Sequence, residues 1–177
     1  MKKLFGILLV CLSSFAHAAL TEAQYIALKA DILADPTLAE KVQQGDYGAI
    51  AAAYNSPTTY VVWKTSVTDR EIQANAAFDW TRVDNLSVGK ARVWDVMFKF
   101  GSINPSQANV RAGIDATWVG TAADLAVRAS VYAQCKRFAT RIEKLFAAGT
   151  GTDVSPSVMV HEGTIPFTDI RSALLEH

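Results

Sequence analysis

His161-Glu162, in the stretch HEGTI, opens like the two-histidine helical motif of a zinc protease. That chemistry needs a second imidazole four residues on, facing the same way along a helix, and position 165 is isoleucine. The other two histidines are His17 and His177, near the chain ends, so no multi-histidine site can form around His161. GTGT at 149–152 has the composition of a phosphate cradle. It follows a helical pattern instead of leading from a strand into a helix, and no lysine-bearing phosphate loop accompanies it. It reads as a helix stop and a flexible turn. Asp31, Asp35 and Asp46 lack calcium-loop spacing and read as helix caps and solvated charges. Cys135, between Gln134 and Lys136 in a helical pattern, reads as a small core residue. No catalytic, metal-binding or cofactor-binding residue emerges, and no enzymatic activity is expected.

Residues suited to contact are easier to find. Trp63, Trp80, Trp94 and Trp118 are expected as core and interface anchors, since a large amphipathic ring buries much surface for little entropy. In KRFATRIEK, Lys136, Arg137, Arg141 and Lys144 surround a helix break. They form either a solvated face or an interaction patch, arginine being enriched at protein interfaces. The candidate contact residues are Trp63, Trp80, Lys136, Arg137, Arg141 and Lys144.

The elements that must position these residues are mostly short helices with strong start signals. Thr21 with Gln24, Thr68 with Glu71, and Thr140 with Glu143 are capping boxes, and Thr121 with Asp124 starts another helix. Asp35-Pro36 is an N-cap followed by proline at the first helical position, with a stop near Gly45. DYGAIAAAYN is a helix ending at the breaker cluster Asn55-Ser56-Pro57. From Ser87 to Phe100 the pattern is helical, with Val93, Trp94, Met97 and Phe98 on one side and Gly101 as the stop. Asn104-Pro105-Ser106-Gln107 predicts a helix beginning at Pro105, with Val110, Ile114 and Trp118 on its buried face. The capping box at Thr140 predicts a break near Arg137–Ala139. Thr168 is expected to cap a last helix through Leu175.

TTYVVWKTSV, dense in β-branched and aromatic residues, predicts a strand, and PSVMVHEGTI a second one that pairs with it. The expected fold is mainly α: a compact bundle of about six or seven short helices with a small two-stranded β element, about 59–67 and 157–165.

The chain of 177 residues opens with Lys2 and Lys3, an apolar run from Leu4 to Leu12 extended to Phe15, and Ala16-His17-Ala18. That is the pattern of a secretory signal, 1–18, with cleavage expected after Ala18; an uncleaved hydrophobic helix is the alternative. The run is shorter than the roughly 20 residues of a membrane span. Residues 19–177 are expected as one domain. Lysine plus arginine and aspartate plus glutamate both number 17, and without Lys2 and Lys3 the balance is 15 against 17. A net charge near −2 is no footprint for nucleic acid. With Cys11 in the leader, Cys135 stands alone, so no intramolecular disulfide is expected after cleavage.

The runs LTEAQYIALKADILADPTLAEKV, GDYGAIAAAYN, VWKTSV, GKARVWDVMF, NPSQANVRAGI and ATRIEKLFAAGTGTDVSPSVMVHEGTI have a resemblance beyond composition. In that order, over residues 20–175, the chain resembles a family of small proteins encoded in tailed bacteriophages and prophages. NPSQANVR and ATRIEKLFAAGTGT are its most specific pieces. The resemblance implies a non-enzymatic component of the structural gene region, head–tail connector or tail. It would touch other virion proteins or copies of itself, without cofactor, and with a membrane only through the leader. It brings no catalytic residues with it. Such proteins typically start near the equivalent of Leu20, whereas here the leader precedes it. An uncleaved assembly helix, an early start codon, or a phage fold recruited to the periplasm or envelope would each reconcile the two.

Overall fold

The computed structural model describes residues 20–177; the leader expected at 1–18 lies outside the described residues. Thr21 caps α1 (Glu22–Ala34) reciprocally with Gln24, and Asp35 accepts the Thr37 N–H to open a 3-10 turn at Pro36. Helix α2 (Ala39–Gln44) stops at Gly45 with φ of 67°, and Asp46 caps α3 (Tyr47–Tyr54). The boxes at Thr68, Thr121 and Thr140 all form, opening α4 (Asp69–Gln73), α7 (Ala122–Gln134) and α8 (Arg141–Phe146). Between them lie α5 (Val88–Met97) and α6 (Ala108–Thr117), and α9 (Phe167–Leu175) comes last. The fold is mainly helical, as the residue pattern predicts, with two small antiparallel sheets where one two-stranded element was expected.

Three local expectations are corrected. Strand β1 (Pro57–Trp63) pairs along its length with β4 (Lys136–Thr140), Val62 opposite Arg137, and of residues 157–165 only Ser157 meets β1, in a single parallel bridge at Val62. That later segment makes only single bridges at Ser157 and Val158. Beyond them its backbone bonds go to side chains: Gly163 N–H to Glu143, and Ile165 N–H to Asn55, whose amide returns a bond to the Ile165 carbonyl. With its polar groups satisfied that way, the segment needs no ladder. The expected strand also ends early, and Val67–Thr68 (β2) pairs instead with Ser102–Ile103 (β3).

The second correction concerns NPSQ. Asn104 Oδ1 accepts from the Ser106 N–H and hydroxyl at 3.0 and 2.6 Å, closing a side-chain turn that competes with the helix. Helix α6 therefore starts three residues later than expected, after Gln107, which makes no capping bond. Third, Thr168 lies inside the first turn of α9, because Pro166 occupies the N-cap position.

The apolar residues sort into two cores. One gathers Leu28, Ile32, Ile50, Tyr54, Ile142, Ile165 and Ile170, from α1, α3, α8, α9 and the segment before α9. The other gathers Val67, Ile72, Phe78, Trp94, Ile114, Trp118, Val131 and Cys135, from β2 and α4 to α7. The β1–β4 sheet stands where the chain passes between them. The outer core is thus built from both ends of the described chain, and the inner core from its middle.

Phe78, Trp94 and Trp118 meet edge-on or offset, with centroids 5.3–6.5 Å apart. Such arrangements add about 0.5–1.5 kcal/mol per pair beyond burial. Cys135 is fully buried in this core, and burial pushes its thiol up to about 12. A thiol alkylates through its thiolate. Iodoacetamide is therefore expected to leave Cys135 unmodified in the native protein and to label it quantitatively in denaturant, as read by peptide mass mapping. Native labelling at a denatured-state rate would contradict this packing.

Candidate interaction surface

The basic stretch places its four cations on β4 and α8, and each turns back onto the protein. In an antiparallel pair, side chains alternate between faces. Arg137 and Val62 point one way; Lys136, Phe138, Val61 and Trp63 point the other.

Arg137 forks onto Glu143 with two bonds of 2.7 Å and reaches Glu162 at 3.4 Å. Glu143 is only 1% exposed and also accepts from the Thr140 and Gly163 N–H groups. Burial alone would raise its carboxyl, but the Arg137 fork and the two backbone donors outweigh that and hold it at about 2.

The pair does a second job. Val61 and Trp63 turn their backbone groups toward Gly151 and Ser157, so Phe138 and Lys136 opposite them turn theirs away from β1. At that outer edge the Phe138 carbonyl accepts from Arg137, and the Thr140 N–H donates to Glu143. Two of the edge's hydrogen-bonding groups are thus taken by the ion pair, which blunts it as a template for another strand.

Arg141 lies across the Tyr54 ring, 4.4 Å from its centroid, and bonds Asp31 at 2.8 Å and Asp35. The Tyr54 hydroxyl donates to the same Asp31. Bonds from Thr37 and then Arg141 hold the Asp35 carboxyl at about 2. Two carboxylates and a ring face fix one planar fork, a geometry that an ammonium cannot match. Arg141→Lys is expected to lower stability by about 1–3 kcal/mol, read as the shift in urea midpoint at constant slope. An unchanged midpoint would remove Arg141 as the tie between α8 and α1.

Lys136 bonds Asp153, Nζ to Oδ1 at 2.6 Å, and Lys144 sits 5.9 Å over the Tyr60 ring, exposed. Trp63 is half-buried, tilted against Tyr132 at 5.5 Å and covered by the Arg111 guanidinium at 5.0 Å. Trp80 stands apart on the 3-10 turn Trp80–Arg82, edge-on to Phe78 and half exposed. The candidate contact residues therefore do not form one continuous patch. Five cluster around the sheet, and Trp80 belongs to the inner core's surface.

The sheet face carrying Trp63 and Lys136 opens into a recess of about 620 Å³ between α6, α7 and the 153–156 loop. A second recess, about 300 Å³, shares Asp115, Tyr132, Lys136, Asp153 and Val154 with it. Each cation facing this space has a partner: Arg128 bonds Asp115 at 3.4 Å, and Arg111 donates to the Pro105 and Ser106 carbonyls at 2.7 and 2.8 Å. Leu125 and Val154 add exposed apolar surface beside it. The lining is thus mixed, with paired charges beside a few apolar side chains.

The GTGT loop that closes the far side is a packing device. Gly151 has φ of 66°, and a Cβ there would stand 2.1 Å from the Tyr60 ring. The Tyr60 hydroxyl donates to the Gly149 carbonyl and shares a 2.7 Å bond with Ser157. His161 packs edge-on to Phe146, centroids 6.0 Å apart, in a turn and not a strand.

Among the described residues no group of three or more His, Cys, Asp or Glu could hold a metal ion, and no helix is long and apolar enough to cross a membrane. Residue-by-residue reading missed the apolar outer side of α5. Val88 and Val96 on the helix are 87% and 58% exposed, Phe100 in the turn after it is 90% exposed, and Val93, expected on the inner side with Trp94, is 43% exposed on the outer one. None of the family models, curated proteins and solved structures compared with the chain matches it.

Proposed function

We propose that this protein is a non-enzymatic structural or connector-type component of a tailed phage particle, acting through contacts with other virion proteins or with copies of itself. The observation that carries the reading is the ordered resemblance of residues 20–175 to that family. The apolar surface described above supports it. Apolar side chains grouped on one helix and around one recess mark contact surfaces better than the same number scattered singly. In this role Lys136, Arg137, Arg141 and Lys144 act mainly by holding the sheet and α8 rigid, and the apolar groups beside them make the contacts.

Mass spectrometry of particles purified from an induced host tests this. Peptides from residues 20–177 are expected at a fixed stoichiometry to the capsid protein, retained through a density gradient. Their absence from intact particles would end the proposal.

A second reading rests on the leader-like MKKLFGILLVCLSSFAHA: export to the periplasm or envelope as a binding protein, for instance in blocking a second infection. N-terminal sequencing separates the two. A mature start at Ala19 favours export, and an intact Met1 or Lys2 removes it.

A further inference from the structure

Helix α5 is built with two apolar sides. Inward, Trp94 is 7% exposed and Met97 and Phe98 pack against the same core. Outward, Gly89, Val93, Val96 and Phe100 follow one another at steps of four, three and four residues, the spacing of a coiled-coil seam. Val93 is 43% exposed, and Phe100, in the turn after the helix, is nearly free of contact. At the other end, no heavy atom beyond the helix's own adjoining backbone lies within 4 Å of where a Cβ on Gly89 would stand, so the seam begins in an open notch.

We propose that this face of α5 is an interface with a second copy of the chain. The two α5 helices lie antiparallel about a two-fold axis passing between Val93 and Val96. A two-fold interface must be complementary to itself. In this register Phe100 of each copy covers Gly89 of the other, and Val93 of each meets Val96 of the other. Large then faces small at both ends of the seam, the arrangement that fills space without strain. Arg92 of each copy also comes within about one helical turn of Asp95 of the other, on the same flank. Knob, notch and a pair of opposite charges on one helix, in mirrored positions, select a second copy over an unrelated occupant. The seam has only four residues, far fewer than the roughly 20–30 a side of a standard interface, so the dimer is weak. The proposal goes beyond the virion reading, because the pairing belongs to the isolated protein whether or not it enters a particle.

Sedimentation velocity of the purified full chain from about 1 to 300 µM tests it. The expected result is a monomer–dimer equilibrium that shifts toward dimer within that range. Val96→Asp and Phe100→Ser should each weaken it about tenfold or more while leaving the melting temperature near that of the parent, both sites being exposed. Arg92→Asp and Asp95→Arg should each weaken association, and R92D/D95R together should restore it, since the swap re-pairs the charges only when both partners are the same chain. A monomer at every concentration would overturn the proposal. So would self-association unaffected by both Val96→Asp and Phe100→Ser, or a charge swap that fails to restore pairing.

Discussion

Arg137→Ala is expected to cost about 3–5 kcal/mol of stability, the usual penalty for leaving one charge of a buried pair uncompensated. Glu143 is 1% exposed, and the substitution removes both of its 2.7 Å guanidinium bonds. At about 2–4 °C per kcal/mol for a chain of this size, the melting temperature should fall by roughly 10 °C. Arg137→Ala with Glu143→Gln should recover part of the loss. A neutral amide tolerates burial better, and its oxygen can still accept from one of the Thr140 and Gly163 N–H groups. The acid dependence follows from the same pair. Glu143 is held at about 2 in the fold, against 4.5 for a free carboxyl. A depressed carboxyl contributes stability that is complete above the unfolded value and fades as pH falls toward the folded one. Parent protein should therefore lose on the order of 3 kcal/mol between about pH 4.5 and 2, and Arg137→Ala should lack that component. Urea titrations at several pH values measure both. A variant melting within 2 °C of the parent would show that Glu143 is satisfied without its arginine.

Gly151→Ala should be nearly as damaging, for a different reason. Its φ of 66° is a conformation that residues with a Cβ rarely adopt, at about 1–2 kcal/mol. A Cβ would also stand 2.1 Å from the ring of Tyr60, whose hydroxyl is fixed at the Gly149 carbonyl and Ser157. The ring cannot move aside without breaking those bonds. The backbone cannot shift without losing the 2.8 Å bond from the Val61 N–H to the Gly151 carbonyl. Together these predict a loss of about 3 kcal/mol or more. Gly101 is the control: φ is 86°, but nothing lies within 4 Å of its Cβ position. Gly101→Ala should cost only the conformational part, about 1–2 kcal/mol. Equal melting temperatures for the two variants would mean that the Tyr60 contact carries no weight.

Much of the helical layout was legible in the sequence because capping chemistry is local. Thr21 with Gln24, Thr68 with Glu71 and Thr140 with Glu143 need only a few residues to close their bonds, and all three close as the spacing predicts. The same locality misleads at Asn104, where a side-chain turn and a helix cap draw on the same residue types and differ only in which N–H is bonded. Strand pairing was less legible. KRFAT reads as a break and gives no sign of its partner β1, because that choice depends on a connection more than 70 residues long. Of the expected partner, 157–165, only Ser157 bonds to β1, and the rest is held by Glu143 and Asn55, which no periodicity announces. Of the contact residues, charge alone could not show that Arg137 and Lys136 are paired with acids six and seventeen residues on, or that Arg141 reaches back to Asp31 and Asp35 near the start of the fold. Phe100 and Val96 were hidden by a similar ambiguity: an apolar residue in a helix reads as core until the opposite side is seen to fill the core without it.

The nesting of one core inside the other fixes an order of events at the ribosome. Everything the middle core requires, from Val67 to Cys135, has been synthesised before α8 and α9 exist, so that unit can close while the chain is still growing. Leu28, Ile32 and Ile50 are made long before Ile142, Ile165 and Ile170, the partners that complete their core. Premature termination would release a half-dressed protein whose greasy front end has no lid.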